Sequence, residues 1–284
     1  MINFTALPEG LPTAAAHFPL AFARGICFPP AMPKTPLAAL VRECDRRLRP
    51  DRFTDWDGAV NGLQVENRGR VARIAAAVDA TVATVRLAIA AKADLLLVHH
   101  GLFWQASHPW TSRRYALLRL LIENNLAVYS AHLPLDAHPQ LGHNARLAAA
   151  LGFRRLRPFF VCKGQTIGFQ TTTRIPRDQL AARLRQAVDG DVKLLPGGSA
   201  LCQRIGIVSG GAGGEVAQAA AEGVDTFITG EGPHWTFGLA EELGMNVFYA
   251  GHYATETFGV KALAAHLARR FGLPWVFLDH PSGL

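Results

Sequence analysis

The sequence is poor in cysteine, in lysine and in long apolar runs, and each shortage excludes a class of protein. Its 284 residues hold four cysteines, Cys27, Cys44, Cys162 and Cys202, with no CxxC spacing among them. Neither a disulfide framework nor a thiolate metal cluster fits that pattern, and reduced thiols in the cytoplasm are the expectation. The apolar runs, such as Ala93 to Val98 and Val224 to Ile228, fall well short of the ~20 residues a membrane-spanning helix needs. No membrane partner is expected. Of 29 basic residues 24 are arginine, scattered in small groups: Arg46, Arg47, Arg49 and Arg52, then Arg113 and Arg114, then Arg154, Arg155 and Arg157, then Arg269 and Arg270. Without a single basic block, the formal charge of +7 reads as solvated helix faces rather than as a nucleic-acid arm. A charged start followed by an apolar core is missing too, so Met1 to Lys34 does not read as a signal peptide. That Pro-bearing stretch, weakly apolar at Phe18 to Phe22, is expected to be a disordered extension, with a start at Met32 as the competing reading.

What is present is an alternation of short apolar strands with helices. Helical periodicity begins at Pro36. Ala72 to Asp79 reads as a strand, Thr81 to Lys92 as a helix, Asp94 to His99 as a buried strand and Leu126 to His132 as another. A helix around Asn144 to Leu151, a strand at Thr166 to Thr173 and a helix at Gln179 to Val188 continue the pattern of an α/β protein.

The alternation repeats. Arg73 to Trp104 lies without gaps on Arg204 to Trp235, pairing Arg73 with Arg204, Ile74 with Ile205, Asp94 with Asp225, Gly101 with Gly232 and Trp104 with Trp235. Further on, "YSAHLPLD" and "YAGHYATE" place His132-x-x-x-Asp136 opposite His252-x-x-x-Glu256. The fold expected is therefore two similar α/β domains from an internal duplication, residues 35–158 and 159–284, with a metal site in the cleft between them.

Polar groups at the carboxyl ends of strands in an open α/β sheet line the crevice where ligands bind. His99 and His100 end an apolar strand and are followed by Gly101, which lets the chain bend. Adjacent strand residues point to opposite faces, so two neighbouring ions suit this pair better than one. If a helix begins near Ala254, His252 and Glu256 share a face one turn apart. Asp136 supplies the matching carboxylate, and one carboxylate can bridge. Mixed N/O ligation by His99, His100, Asp136, His252 and Glu256 suits two divalent ions among Zn, Mn, Fe and Co. Each residue also has a plainer reading. A strand-end His can be a hydrogen-bonded structural residue, Asp136 a turn or cap, and Glu256 a first-turn acid.

His132 reads as the group that orients Asp136, with a sixth ligand as the alternative. Glu231 and His234 border the expected pocket and, with His132, are the candidates for moving protons. His17, His108, His266 and His280 are expected at the surface. Ser209-Gly-Gly-Ala-Gly-Gly214 follows a strand and precedes a helix, but matches no phosphate-binding spacing and reads as a tight turn. Asn61-Gly-Leu-Gln-Val-Glu66 is a turn leading into a strand.

Taken together, "NGLQVE", "LLLVHHGLFW", "HLPLDAHPQLGHNA", "DTFITGE" and "AGHYATETFGVKAL" resemble the NIF-three-like family of dinuclear metal-centre proteins, whose members are often labelled type-two GTP cyclohydrolase I homologues. The match runs from about Pro36 to Pro281, in the short bacterial form. The resemblance implies two α/β domains across a cleft, a ring-shaped hexamer built from trimers, and metal ligands at His99, His100, Asp136, His252 and Glu256. His143 stands where similar chains often carry Asn, and that departure is expected to touch no ligand. The function expected is a metal-dependent hydrolase acting on a nucleotide or related small substrate, with arginines and the glycine-rich turn contacting phosphate. A non-catalytic metal-binding hexamer that scaffolds or regulates is the alternative.

Overall fold

A computed structural model describes residues 34–104 and 109–284. The expectations for the N-terminal extension, for Met32, Cys27, His17 and His108, fall outside the described residues. Among those described, no helix is long and apolar enough to cross a membrane.

The first part of the chain runs β1 (Thr35–Pro36), α1 (Leu37–Leu48), β2 (Gly62–Val65), β3 (Arg70–Val71), β4 (Ile74–Asp79), α2 (Val82–Ala90), β5 (Leu95–His100), α3 (Ser112–Glu123), β6 (Ala127–Ser130), α4 (Leu133–Asp136) and α5 (His143–Ala150). The second continues with β7 (Arg157–Cys162), β8 (Gln165–Pro176), α6 (Arg177–Val188), β9 (Lys193–Pro196), β10 (Leu201–Ile207), α7 (Val216–Ala221), β11 (Thr226–Thr229), α8 (Thr236–Glu242), β12 (Asn246–Tyr249), α9 (His252–Thr255), α10 (Thr257–Phe271) and β13 (Trp275–Phe277). Five strands form one sheet in the order β13-β4-β5-β6-β2, and six form another in the order β7-β8-β10-β11-β12-β9.

The central strands β4, β5 and β6 are parallel, as are β10, β11 and β12. Leu95 to Val98 is buried on both faces of its sheet, which is why it reads as one continuous apolar run. The aligned segments fold alike. Ile74 pairs with Leu95 as Ile205 pairs with Thr226. Asp94 accepts the backbone N–H of Arg73, and Asp225 accepts that of Arg204, so the paired aspartates and arginines tie the same strand entry in both sheets.

The two sheets do not divide the chain at residue 158. Val260, Leu263, Ala264 and Leu267 of α10 belong to the core beneath β4, β5 and β6, and β13 extends that same sheet. Conversely, Leu147 and Ala148 of α5 pack with Ile205, Ile207 and Phe248 of the second sheet. Each part of the chain thus covers the other's sheet with a helix, because an apolar sheet face must be covered by something and covalent proximity does not decide by what.

Candidate metal centre

Three local choices deliver the key side chains. β5 carries on to His100, whose neighbour across the ladder is Asp79. His99 is fully buried while the His100 side chain is 19% exposed. Gly101 follows because a Cβ there would collide with the Gln64 side chain, whose Oε1 accepts the Leu102 N–H at 2.7 Å. The helix expected to start near Ala254 is instead broken in two. Gly251, at φ 87°, caps the single turn α9 that opens with His252, and Glu256 sits at the joint before α10. The joint lets the Glu256 carboxylate turn inward, and it is 3% exposed.

Four imidazoles are fixed in the same sense. His99 Nδ1 donates to Ala131 O at 2.9 Å, and since a carbonyl only accepts, the lone pair is on Nε2. The Nδ1 atoms of His100, His132 and His252 meet the carboxylates of Asp79 at 2.8 Å, Asp55 at 2.7 Å and Glu231 at 2.7 Å. Each therefore turns its Nε2 toward the centre, with a lone pair there when the ring is neutral. This is the arrangement by which outer carboxylates and carbonyls set the tautomer of metal-binding histidines.

Those nitrogens converge on carboxylate oxygens. Glu256 Oε1 lies 3.2 Å from His252 Nε2 and 3.5 Å from His99 Nε2, and Oε2 lies 3.5 Å from His100 Nε2. Asp136 Oδ2 is 3.6 Å from His99 Nε2. His99 Nε2 and Glu256 Oε2 are buried with no hydrogen-bond partner. Buried polar atoms left unpaired cost about 1–3 kcal/mol each, whereas two donors some 3.5 Å apart can share an ion at ~2.1 Å from both. The residues therefore fit a metal. His100, His252 and Glu256 form one group with ligand atoms within 4.8 Å of one another, and His99, His100 and His132 form another.

Electrostatics couple these imidazoles and acids closely. Burial lowers the His99 and His252 pKa values, but the facing acids outweigh it: Asp136 and Glu256 for His99, Glu256 and Glu231 for His252. Both imidazoles end at about 9. Burial pushes Asp136 up despite the His99 charge. Burial acts the same way on Glu256, yet His99 and His252 hold it well below the usual carboxylate range.

Sequence reasoning missed the supports. Asp55 and Asp79 carry no motif, and only tertiary pairing brings them to His132 and His100. Asn61, singled out as a turn residue, accepts the His132 N–H at 2.7 Å and donates to Asp55 at 2.8 Å. Asp136 is held by Ser209 Oγ at 3.0 Å rather than by His132. His143 was expected to touch no ligand, but α5 packs its ring edge-on to His99 with centroids 4.4 Å apart. His234 lies exposed in the turn before α8. His266 is not a free surface residue: its Nε2 meets buried Glu43 at 2.8 Å, alongside Arg46, Arg47 and Arg270.

His100, His132 and His252 line a cleft of about 710 Å³ together with Trp56, Trp104, Phe160, Lys163, Glu215, Ser209, Gly211 and Ala212 among others. No arginine is among its described lining residues, contrary to the expectation that arginines contact phosphate. The glycine-rich turn does line it, for a packing reason. Gly210, at φ 71°, lies against the Glu256 carboxylate where a Cβ would collide.

Comparison with known proteins gives the chain a family. The family Duf34/NIF3 (NGG1p interacting factor 3) matches residues 36–282. The chain belongs to the Duf34/NIF3 family. A Deinococcus radiodurans member named GTP cyclohydrolase 1 type 2 homolog is 45% identical over 250 residues, covering 86% of this chain and 93% of its own. A Pseudomonas aeruginosa member of the same name is 38% identical, covering 87% and 98%. The crystal structure of a Thermus thermophilus protein matches with TM-score 0.79 at 43% identity, over 88% of this chain and all of the other. Family membership thus spans both sheets and every residue of the candidate centre.

Proposed function

We propose that this Duf34/NIF3 chain binds two divalent ions and hydrolyses a nucleotide or a related small substrate. The observation that carries the reading is Glu256, whose two oxygens face three separately anchored imidazoles at the floor of an open cleft. His99, His100, Asp136, His252 and Glu256 would together hold the ions. His132, its Nδ1 engaged by Asp55, would add a sixth ligand through Nε2 beside His99 and His100. When bound, the ions would polarise the group under attack and lower the pKa of water at the site.

The chain's own residues do the rest. Glu231 and Asp79 fix the tautomers of His252 and His100. Trp56 and Trp104 flank the cleft with aromatic faces on which a base can stack, and Lys163, seated over the Trp56 ring at 4.6 Å, supplies a cation for a phosphate. The volume lies within the usual range for small-molecule sites. The name shared by the relatives points to GTP as the first compound to try.

The test is elemental analysis of protein purified without added metal, then turnover across nucleotides and phosphoesters with both ions bound. About two equivalents of metal, with turnover abolished in His100→Ala, supports the reading. Two equivalents with no turnover on any compound favours the scaffold or regulator instead. A ring-shaped hexamer belongs to the same proposal, its contacts covering some of the apolar surface exposed at Tyr115, Ile122, Trp235 and Phe237. Sedimentation at six times the 30.7 kDa chain mass is the expected result.

A further inference from the structure

His143 is the one imidazole of the cluster set the opposite way round. Its Nδ1 accepts the backbone N–H of Gly259 at 3.0 Å. An amide N–H can only donate, so Nδ1 holds the lone pair and Nε2 of the neutral ring carries the proton. The contact is built in. His143 is fully buried, its ring lies over Gly259, and a Cβ there would fall 2.8–2.9 Å from three ring atoms. Substituting Gly259 would expel the ring.

His143 therefore cannot act as a metal ligand without losing a second proton, although a ring nitrogen lies within 4.8 Å of the ligand atoms of His99 and Asp136. It remains a donor, and its Nε2 has no acceptor. A fully buried donor with nothing to donate to costs about 1–3 kcal/mol, a cost removed when an acceptor arrives.

We infer that His143 is a fixed Nε2–H hydrogen-bond donor at the His99–Asp136 corner of the centre, positioning an oxygen acceptor there rather than binding metal. The acceptor is an oxygen of a water or of a substrate seated against Asp136, whose own Oδ1 is already engaged by Ser209. This inference rests on the proposed metal centre.

Co²⁺ titration of the full-length protein tests it, read by elemental stoichiometry and by the visible spectrum against pH. Three variants are compared with the unaltered chain: His143→Gln, whose amide N–H reaches toward the Nε2 position; His143→Asn, whose shorter amide reaches only as far as Nδ1; and His143→Leu, which has no donor. All four proteins are expected to bind two Co²⁺ with the same spectral intensity at saturation. Asn and Leu should weaken affinity by roughly 10–100-fold and shift the pH midpoint of the spectral change upward, as losses beyond the ligands do, while Gln recovers most of both. If Leu does not fold, the Gln-against-Asn contrast decides alone. Loss of one equivalent of Co²⁺, or a fall in spectral intensity, in all variants would make His143 a ligand and overturn the inference. Equal behaviour of all four proteins would reduce it to packing and overturn it too. Should the unaltered protein take up no Co²⁺, the metal centre itself falls, an outcome distinct from the other two.

Discussion

Histidine tautomers are decided residue by residue at this site, and with them what each ring can do. Four rings give Nδ1–H away to a carbonyl or carboxylate and turn Nε2 to the centre, and one ring does the reverse. His99 and His252 are raised from 6.5 to about 9, so at neutral pH an incoming ion must displace a proton from each. The direction follows: protonated rings compete with metal below about pH 9, so apparent affinity rises with pH up to that value and levels off above it. Calorimetry at pH 7 in two buffers of different ionisation enthalpy should show about two protons released per chain. Uptake with no proton release would contradict the geometry.

Glu43 gives a second residue-scale test, away from the centre. Burial works to raise its pKa, but His266, Arg46, Arg47 and Arg270 bring it down to about 2 from 4.5. A depressed carboxylate contributes stability above its unfolded pKa and loses it as pH falls through the folded one. Glu43→Gln should therefore cost about 1–2 kcal/mol at pH 7, discounted because its arginine partners reach solvent, with the difference vanishing between pH 4.5 and about 2. Urea unfolding of both proteins across that window measures it.

At the scale of elements, strand ends and helix joints hold the ligands, and glycines make the close approaches possible. Gly210 has both a left-handed backbone and a carboxylate where a Cβ would go. Gly223, at φ 90°, has the backbone without the contact. Gly223→Ala should lower stability by about 1–2 kcal/mol and leave metal stoichiometry at its starting value. Gly210→Ala should cost at least as much and also push Glu256 out of place, lowering the metal bound per chain. If both variants bind metal like the unaltered protein, the Gly210 floor is not what holds Glu256. The break between α9 and α10 was not legible beforehand. A helix from Ala254 satisfies the same i, i+4 spacing, and only the joint aims Glu256 at three histidines at once.

Across the whole molecule the two sheets are tied by exchanged helices. Leu263 on α10 is 2% exposed in the core of the first sheet, more than 130 residues along the chain from β4, β5 and β6. Leu263→Ala should destabilise by about 2–5 kcal/mol and, because α10 follows directly on Glu256, weaken metal binding as well. Thermal unfolding with and without added metal checks both. An unchanged melting temperature would mean that α10 is not part of the first sheet's core.

The sequence by itself determined the alternating architecture, the aligned segments around Asp94 and Asp225, and the two strand-end positions from which histidines and acids converge. Those features follow from local periodicity and from residue types, which a linear reading captures. Tertiary structure alone decided which outer acid serves which imidazole, that Asp55 and Asp79 take part, that His143 lies against His99, and that α5 and α10 cross to the opposite sheets. Such pairings join residues far apart in the chain. They depend on how buried polar groups find partners once the apolar faces have been covered, and no spacing along the chain encodes that.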